Sequence, residues 1–362
     1  MTTISHTAGV ACLGLLLLSP LYGDENKARG MDIPARMQAA ATLVRDHAWF
    51  RRQRDEILDR CEPWLERSAE ELWMSIPDQC IPRVFTVSQK HGCPACGPAV
   101  NTGYGYYPWR STPEHPWKVQ CPKCRERFPK NDFWAYYCSG MDARGRFDEA
   151  RADRKLLVNP DHPDPNDPKH TYGVDPGTGY RSEEGAVHAF VACYNGVRIW
   201  GFPWSRDGIT SVTLDLAYAY LLTGDVRYAR KAAVILGRIA VLYPDMDYRF
   251  WMDKPEYNPN GLRLTGKILD RIWDNFLIKR LLRAYALVAP AMRNDPVFAA
   301  FLESKAGHLP VPRSVGASLL ESLVEQNYLR AIFRCAQNGV LWGNTGMTEE
   351  CVALVALVTV DP

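Results

Sequence analysis

The sequence predicts a mainly α fold of helical hairpins into which a small zinc-ribbon-like module is inserted. Three observations predict it. Apolar residues recur at helical spacing near the start and again over the second half of the chain. Four cysteines cluster as two C-x2-C knuckles between these stretches, and a Pro-, Asp- and Gly-dense segment separates the two regimes.

Residues 1–23 read as a secretory signal. Gly9 to Leu18 is a short apolar run without charge, followed by Ser19, Pro20 and the small Gly23. This predicts a secreted or periplasmic protein. No later run reaches the roughly 18 apolar residues of a membrane helix, so no membrane span is expected.

Residues 24–80 form the N-terminal helical segment. Ala40, Leu43, Ala48, Ile57 and Leu65 lie at helical spacing, which predicts two helices broken at Pro63. Residues 81–158 change to Gly, Pro, aromatics and the clustered cysteines, as suits a compact loop-rich module. Residues 159–183, with "NPDHPDPNDPKHTYGVDPGTGY", cannot continue a helix, because proline lacks the amide donor and restricts its predecessor.

Residues 184–362 return to helical periodicity. Ile209, Val212, Leu216 and Ala219 share one face, "TGD" at Thr223 to Asp225 interrupts, and Ala229, Ala233, Leu236 and Ala240 share the next. That is a helical hairpin. Further helices are expected through Ile268, Ile272, Leu281 and Val288 up to Pro290, from Asn294 with Pro296 just inside, through Leu319, Leu323 and Ile332, and from about Thr348. Periodicity alone leaves bundle, solenoid and closed ring open.

The totals bound the partners. The 362 residues carry 43 Lys+Arg against 41 Asp+Glu, a net charge of +2. That gives no overall footprint for nucleic acid or an anionic membrane, so any basic binding surface must be local. Of 11 cysteines, Cys12 lies in the signal and four in the knuckles. Cys61, Cys80, Cys138, Cys193, Cys335 and Cys351 are scattered without framework spacing.

Cys93, Cys96, Cys121 and Cys124 are the candidate metal ligands. Two C-x2-C turns match tetrahedral thiolate ligation of zinc, and four protein ligands leave no open position for water, which implies a structural Zn2+. A pair of disulfides is the rival reading. Between the knuckles, "NTGYGYYPWR" carries Tyr104, Tyr106, Tyr107 and Trp109, whose faces suit sugar stacking or the module's own core. Tyr104, Tyr107, Trp109 and Trp273 are the substrate-binding candidates.

His188, placed on a helix, reads as a hydrogen-bonded core histidine rather than a catalytic group. Asp270 and Asp274, four apart, could pair as carboxylates, but Lys267 and Arg271 point to a solvated charged face. In "NGVLWGNTGMTEE", Asn344 sits in a Gly-bounded loop ahead of a helix, as either a cap residue or an amide presented at a cavity mouth.

Taken together, the paired knuckles, "FPKNDFWAYYCSGMDARGRFD", the Pro-Asp loop, the hairpins and "GNTGMTEECVALVALVTVDP" resemble the N-terminal part of the heparinase II/III-like polysaccharide lyases, including alginate-lyase-like members. The resemblance covers most of the chain after about Asp32. It implies an incomplete α/α toroid and β-elimination on a uronate polysaccharide, with Asn344 as the catalytic residue that neutralises the substrate carboxylate. The family's Tyr/His base and acid lie further along its pattern than residue 362, which implies a partial chain lacking them. A noncatalytic carbohydrate-binding scaffold and a glycoside hydrolase on a helical toroid are the alternatives. Should this chain itself eliminate, Tyr257, Tyr328 and His188 are the places to seek a base. The polymer and the oligomeric state are not specified by the sequence.

Overall fold

The computed structural model describes residues 32–201, 206–248, 250, 266–269, 271–312 and 317–338, excluding the side chains of 271 and 272. The expected signal, Tyr257, Asp270, Asn344 and the helix expected near Thr348 lie outside the described residues. The fold is mainly helical, with 54% helix and 5% strand, and has no barrel among the described residues.

Two helices open it, α1 (Ile33–Asp46) and α2 (Ala48–Leu65), followed by short α3 (Ala69–Met74). The break expected at Pro63 falls instead at His47, whose extended backbone (φ −125°, ψ 116°) interrupts the run. Pro63 lies in the last turn of α2, and the helix runs past it to Leu65 despite the missing amide. Ser68 and Glu71 then form a reciprocal capping box that starts α3.

The module carries α4 (Ala99–Tyr104), β1 (Val119–Gln120), β2 (Arg127–Phe128), α5 (Phe133–Ser139), β3 (Tyr180–Arg181), β4 (Val187–His188) and α6 (Phe190–Tyr194). β1 pairs antiparallel with β2, and β3 with β4. A wide π turn, Asn195–Ile199, continues α6.

The helical body follows, with α7 (Ile209–Thr223), α8 (Val226–Leu242), α9 (Arg271–Met292), α10 (Pro296–Ala306), α11 (Leu319–Leu323) and α12 (Arg330–Gln337), the last two joined by a π turn at Val324–Leu329. The α7–α8 hairpin turns where the sequence places it. Gly224 adopts the left-handed conformation (φ 73°, ψ 0°), its amide bonding Tyr220 O at 2.8 Å, and Asp225 caps α8. Asp295 rather than Asn294 caps α10, with Pro296 at its first position.

Helix α7 packs against α1, α2, α8 and α9, while α8 also meets α3 and α10. From Ala232 to Leu242 every residue of α8 is buried, as befits a helix enclosed on all sides. Gly237 permits this, since a Cβ there would come within 3.0 Å of the Leu302 side chain. No helix among the described residues is long and apolar enough to cross a membrane.

Two hydrophobic clusters result. The larger joins α1 to α3 with α7 to α12. The smaller runs from Ile81 to Tyr194 and contains Cys93 and Cys121 beside Trp109, Trp117, Phe128 and Phe190. Two buried arginines tie the halves together. Arg83 reaches from the module's start to Ile268 O (2.7 Å) and Lys267 O (3.1 Å) ahead of α9. Arg238 reaches from α8 to Ile76 O (3.2 Å) and Gly145 O (2.6 Å).

Candidate metal centre

Each knuckle is one tight turn built to aim two sulfurs at a common point. In the first, Cys93 and Gly97 exchange backbone bonds (3.2 and 2.8 Å). In the second, the Arg125 amide donates to Cys121 O at 3.0 Å and the Cys121 amide to Glu126 O at 2.9 Å. The residue after the second cysteine is left-handed in both, Gly97 at φ 68° and Arg125 at φ 67°. Glycine adopts this without strain; arginine does so at a cost of roughly 1–2 kcal/mol. Backbone amides also aim at the first sulfur of each turn, those of Ala95 and Cys96 at Cys93 and those of Lys123 and Cys124 at Cys121.

The four sulfurs lie within 4.8 Å of one another. Across the knuckles Cys93 Sγ is 3.7 Å from Cys124 Sγ, and Cys96 Sγ is 3.6 Å from Cys121 Sγ. A tetrahedral thiolate site with metal–sulfur bonds of about 2.3 Å has edges of about 3.8 Å. These spacings match it and are far longer than the roughly 2.05 Å of a disulfide bond. All four cysteines are free, and the cluster can hold a metal ion.

The electrostatics point the same way. Burial pushes the Cys93 thiol up and the Cys96 thiol up to about 11, while the amides of Cys124 and Lys123, working against burial, hold Cys121 below its ordinary value. Without a cation Cys93 and Cys96 therefore keep their protons, which a metal that binds must displace.

The aromatic candidates divide. Tyr104, Tyr106 and Tyr107 are 50%, 65% and 44% exposed, with Tyr107 edge-on to Phe85 at 6.0 Å. Trp109 is not on this rim. It is buried, edge-on to Phe128 (6.5 Å) and Phe190 (5.8 Å), because the residue before exposed Arg110 faces the module core. Trp273 lies on α9, half-buried and stacked on Phe276 at 5.9 Å.

His188 belongs to β4, not to a helix, since the Pro/Gly-rich segment returns as a β3–β4 hairpin before α6 begins. It is buried, its Nδ1 lies 3.1 Å from Gly92 O, and its ring lies near-parallel to those of Tyr180 (5.9 Å) and Phe190 (6.0 Å) in a three-ring cluster. Burial holds its pKa below the ordinary value. Tyr328 is also buried, its ring edge-on to Tyr243 at 4.6 Å.

Asp274 overturns its expected place on a solvated face. It is fully buried and accepts the amides of Lys267 (3.1 Å), Ile268 and Leu269 (3.0 Å each). Burial raises its pKa, opposed by those amides and by the charge of Arg83. Arg83 thus holds the carbonyls of the same short segment whose amides Asp274 holds. A second buried acid went unread. Asp175 accepts amides from Gly177 (2.7 Å), Gly179 (2.8 Å) and Val191 (3.0 Å), and burial pushes it up to about 6. The signal was present in "DPGTG", where glycines two and four residues on let the backbone fold over the carboxylate.

No protein-family model, curated protein or solved structure matches the chain.

Proposed function

We propose that the bound metal is zinc in a structural role, that the helical hairpins belong to an α/α toroid, and that the protein acts on uronate-containing polysaccharides by β-elimination. The observation that carries the reading is a four-cysteine module, built for a closed metal site, that sets three exposed tyrosines on a body of helical hairpins. A four-thiolate site has no place for water or substrate, so the metal braces and the chemistry belongs elsewhere. The sequence segments quoted above supply the family and, with it, the reaction.

In that reaction the C5–H bond breaks to a base, its electron pair forms the C4–C5 double bond, and the C4–O bond breaks as an acid protonates the leaving oxygen. Charge grows on the neighbouring carboxylate, so a hydrogen-bond donor placed there lowers the barrier. Asn344 is our candidate donor. Its role rests on the sequence alone, and no residue is assigned as base. Tyr104, Tyr106 and Tyr107 offer faces on which sugar rings stack.

The test is to incubate the protein with uronate polymers and follow the absorbance of unsaturated uronate. Elimination produces the chromophore. Reducing ends without it would indicate a hydrolase, and binding without either a noncatalytic scaffold. In a form of the protein that eliminates, Asn344→Ala should lower turnover about a hundredfold while weakening binding much less. Unchanged turnover would remove Asn344 from the mechanism.

A further inference from the structure

Six Lys or Arg stand against two Glu between Arg110 and Lys130, in a chain whose whole net charge is +2. Two of the six are occupied internally. Lys118 Nζ donates to Pro129 O (2.5 Å), Lys130 O (3.1 Å) and Asn131 O (2.7 Å), and Lys130 pairs with Glu126 at 3.0 Å. The other four, Arg110, Lys123, Arg125 and Arg127, are exposed, and none makes an ion pair among the described residues.

The backbone places them together. Arg110 and Gln120 exchange both backbone bonds (3.1 and 2.7 Å), and Gln120 pairs in turn with Arg127. Residues paired across strands project to one face, so Arg110, Gln120 and Arg127 form a row whose ends are about 10 Å apart at Cα. Val119 and Phe128 occupy the opposite, buried face. Lys123 and Arg125 extend the positive charge along the second knuckle. Gln120 Nε2 donates to Arg125 O at 2.8 Å, which steadies that left-handed turn and leaves the amide oxygen to accept from a ligand.

We propose that this face of the metal module, with Arg110 and Arg127 flanking Gln120, is a docking surface for an acidic polysaccharide, separate from any centre of elimination. The cations meet carboxylates and Gln120 accepts a sugar hydroxyl, a donor that the backbone of a DNA strand lacks. The inference shares with the proposed function only the acidic polysaccharide and needs no chemistry. A second role for these cations is to offset the net negative charge of a metal tetrathiolate, and the experiment separates the two.

Metal-loaded protein is titrated with a size-defined oligouronate, a neutral glucan and oligodeoxythymidylate over a range of salt, for the native chain and the double variant Arg110→Gln, Arg127→Gln. Both sites are exposed, so the variant keeps its fold. Binding of the oligouronate should weaken about tenfold and its salt slope should fall by about two, roughly one per cation removed. Metal content and melting temperature should stay unchanged. Unaltered oligouronate binding, loss of metal with binding retained, tighter binding of the thymidylate, or no oligouronate binding at all would each overturn the proposal. Elimination is assayed separately on the same samples. A variant that binds normally and eliminates removes this surface and leaves the lyase reading standing; face-dependent binding without elimination does the reverse.

Discussion

Replacing Arg83 with methionine tests how the module is fastened to the helical body. The guanidinium is 1% exposed and donates to Ile81 O (3.2 Å), Ile268 O (2.7 Å) and Lys267 O (3.1 Å). The bonds to Ile81 and Ile268 are buried, and abandoning two dry carbonyls costs about 1–3 kcal/mol each. Against this, burial pulls the Arg83 pKa down to about 10 from 12.5, so removing the charge returns about 3 kcal/mol. Asp274, which shares the segment, also loses its neighbouring cation. That attraction is already contained in the Arg83 pKa, so the balance is a net destabilisation of about 1 kcal/mol, read from the midpoint of urea unfolding. Hydrogen exchange adds the local signature: the amides of Lys267, Ile268 and Leu269 should exchange faster, while those of Ile235 to Ile239 in α8 keep their protection. A variant as stable as the native chain, or one that loosens α8 equally, would refute the account of Arg83 as a local fastening.

Cys121→Ser should abolish stoichiometric metal and lower the yield of folded protein, since a structural metal contributes directly to folding; full folding without metal, by metal analysis and circular dichroism, would count against it. Asp175 supplies a pH dependence. Its folded pKa of about 6 exceeds the ordinary 3.8, so between these values the folded state holds more protons than the unfolded one. Its contribution is fullest below the unfolded value and is lost as pH rises through about 6, by at most about 3 kcal/mol. Unfolding curves from pH 4 to 7 should therefore show the native protein losing up to about 3 kcal/mol relative to Asp175→Asn as pH rises; parallel curves would show that the group does not titrate there.

The elements that sequence periodicity reveals are those whose burial repeats every turn. The α7–α8 hairpin was legible because Gly224 and Asp225 punctuate two apolar stripes, and the knuckles because ligand spacing is local. What escaped is long-range or depends on which face a residue takes. Asp274 has charged neighbours in sequence, yet its partners are the amides of the preceding turn, folded back over it. Trp109 and the three tyrosines share one segment, and only the pairing of Arg110 with Gln120 shows which way the indole must point. His188 looked helical because the helix begins two residues later, at Phe190, while the β3–β4 pairing that holds it comes from across a turn. Arg83 and Arg238 carried no periodic signal at all, since each acts on backbone far away in the chain.

The π turn at Val324–Leu329 has a consequence for helical phase. A regular helix advances each residue by about 100°, and a wide turn accommodates one residue more than a regular turn does. Every side chain from Arg330 to Gln337 is therefore rotated by about a quarter turn relative to the face that counting from Leu319 would assign. The turn absorbs what amounts to a one-residue insertion without breaking the rod. Deleting a single residue there would restore an unbroken α-helix while turning the faces of α12 to a different azimuth.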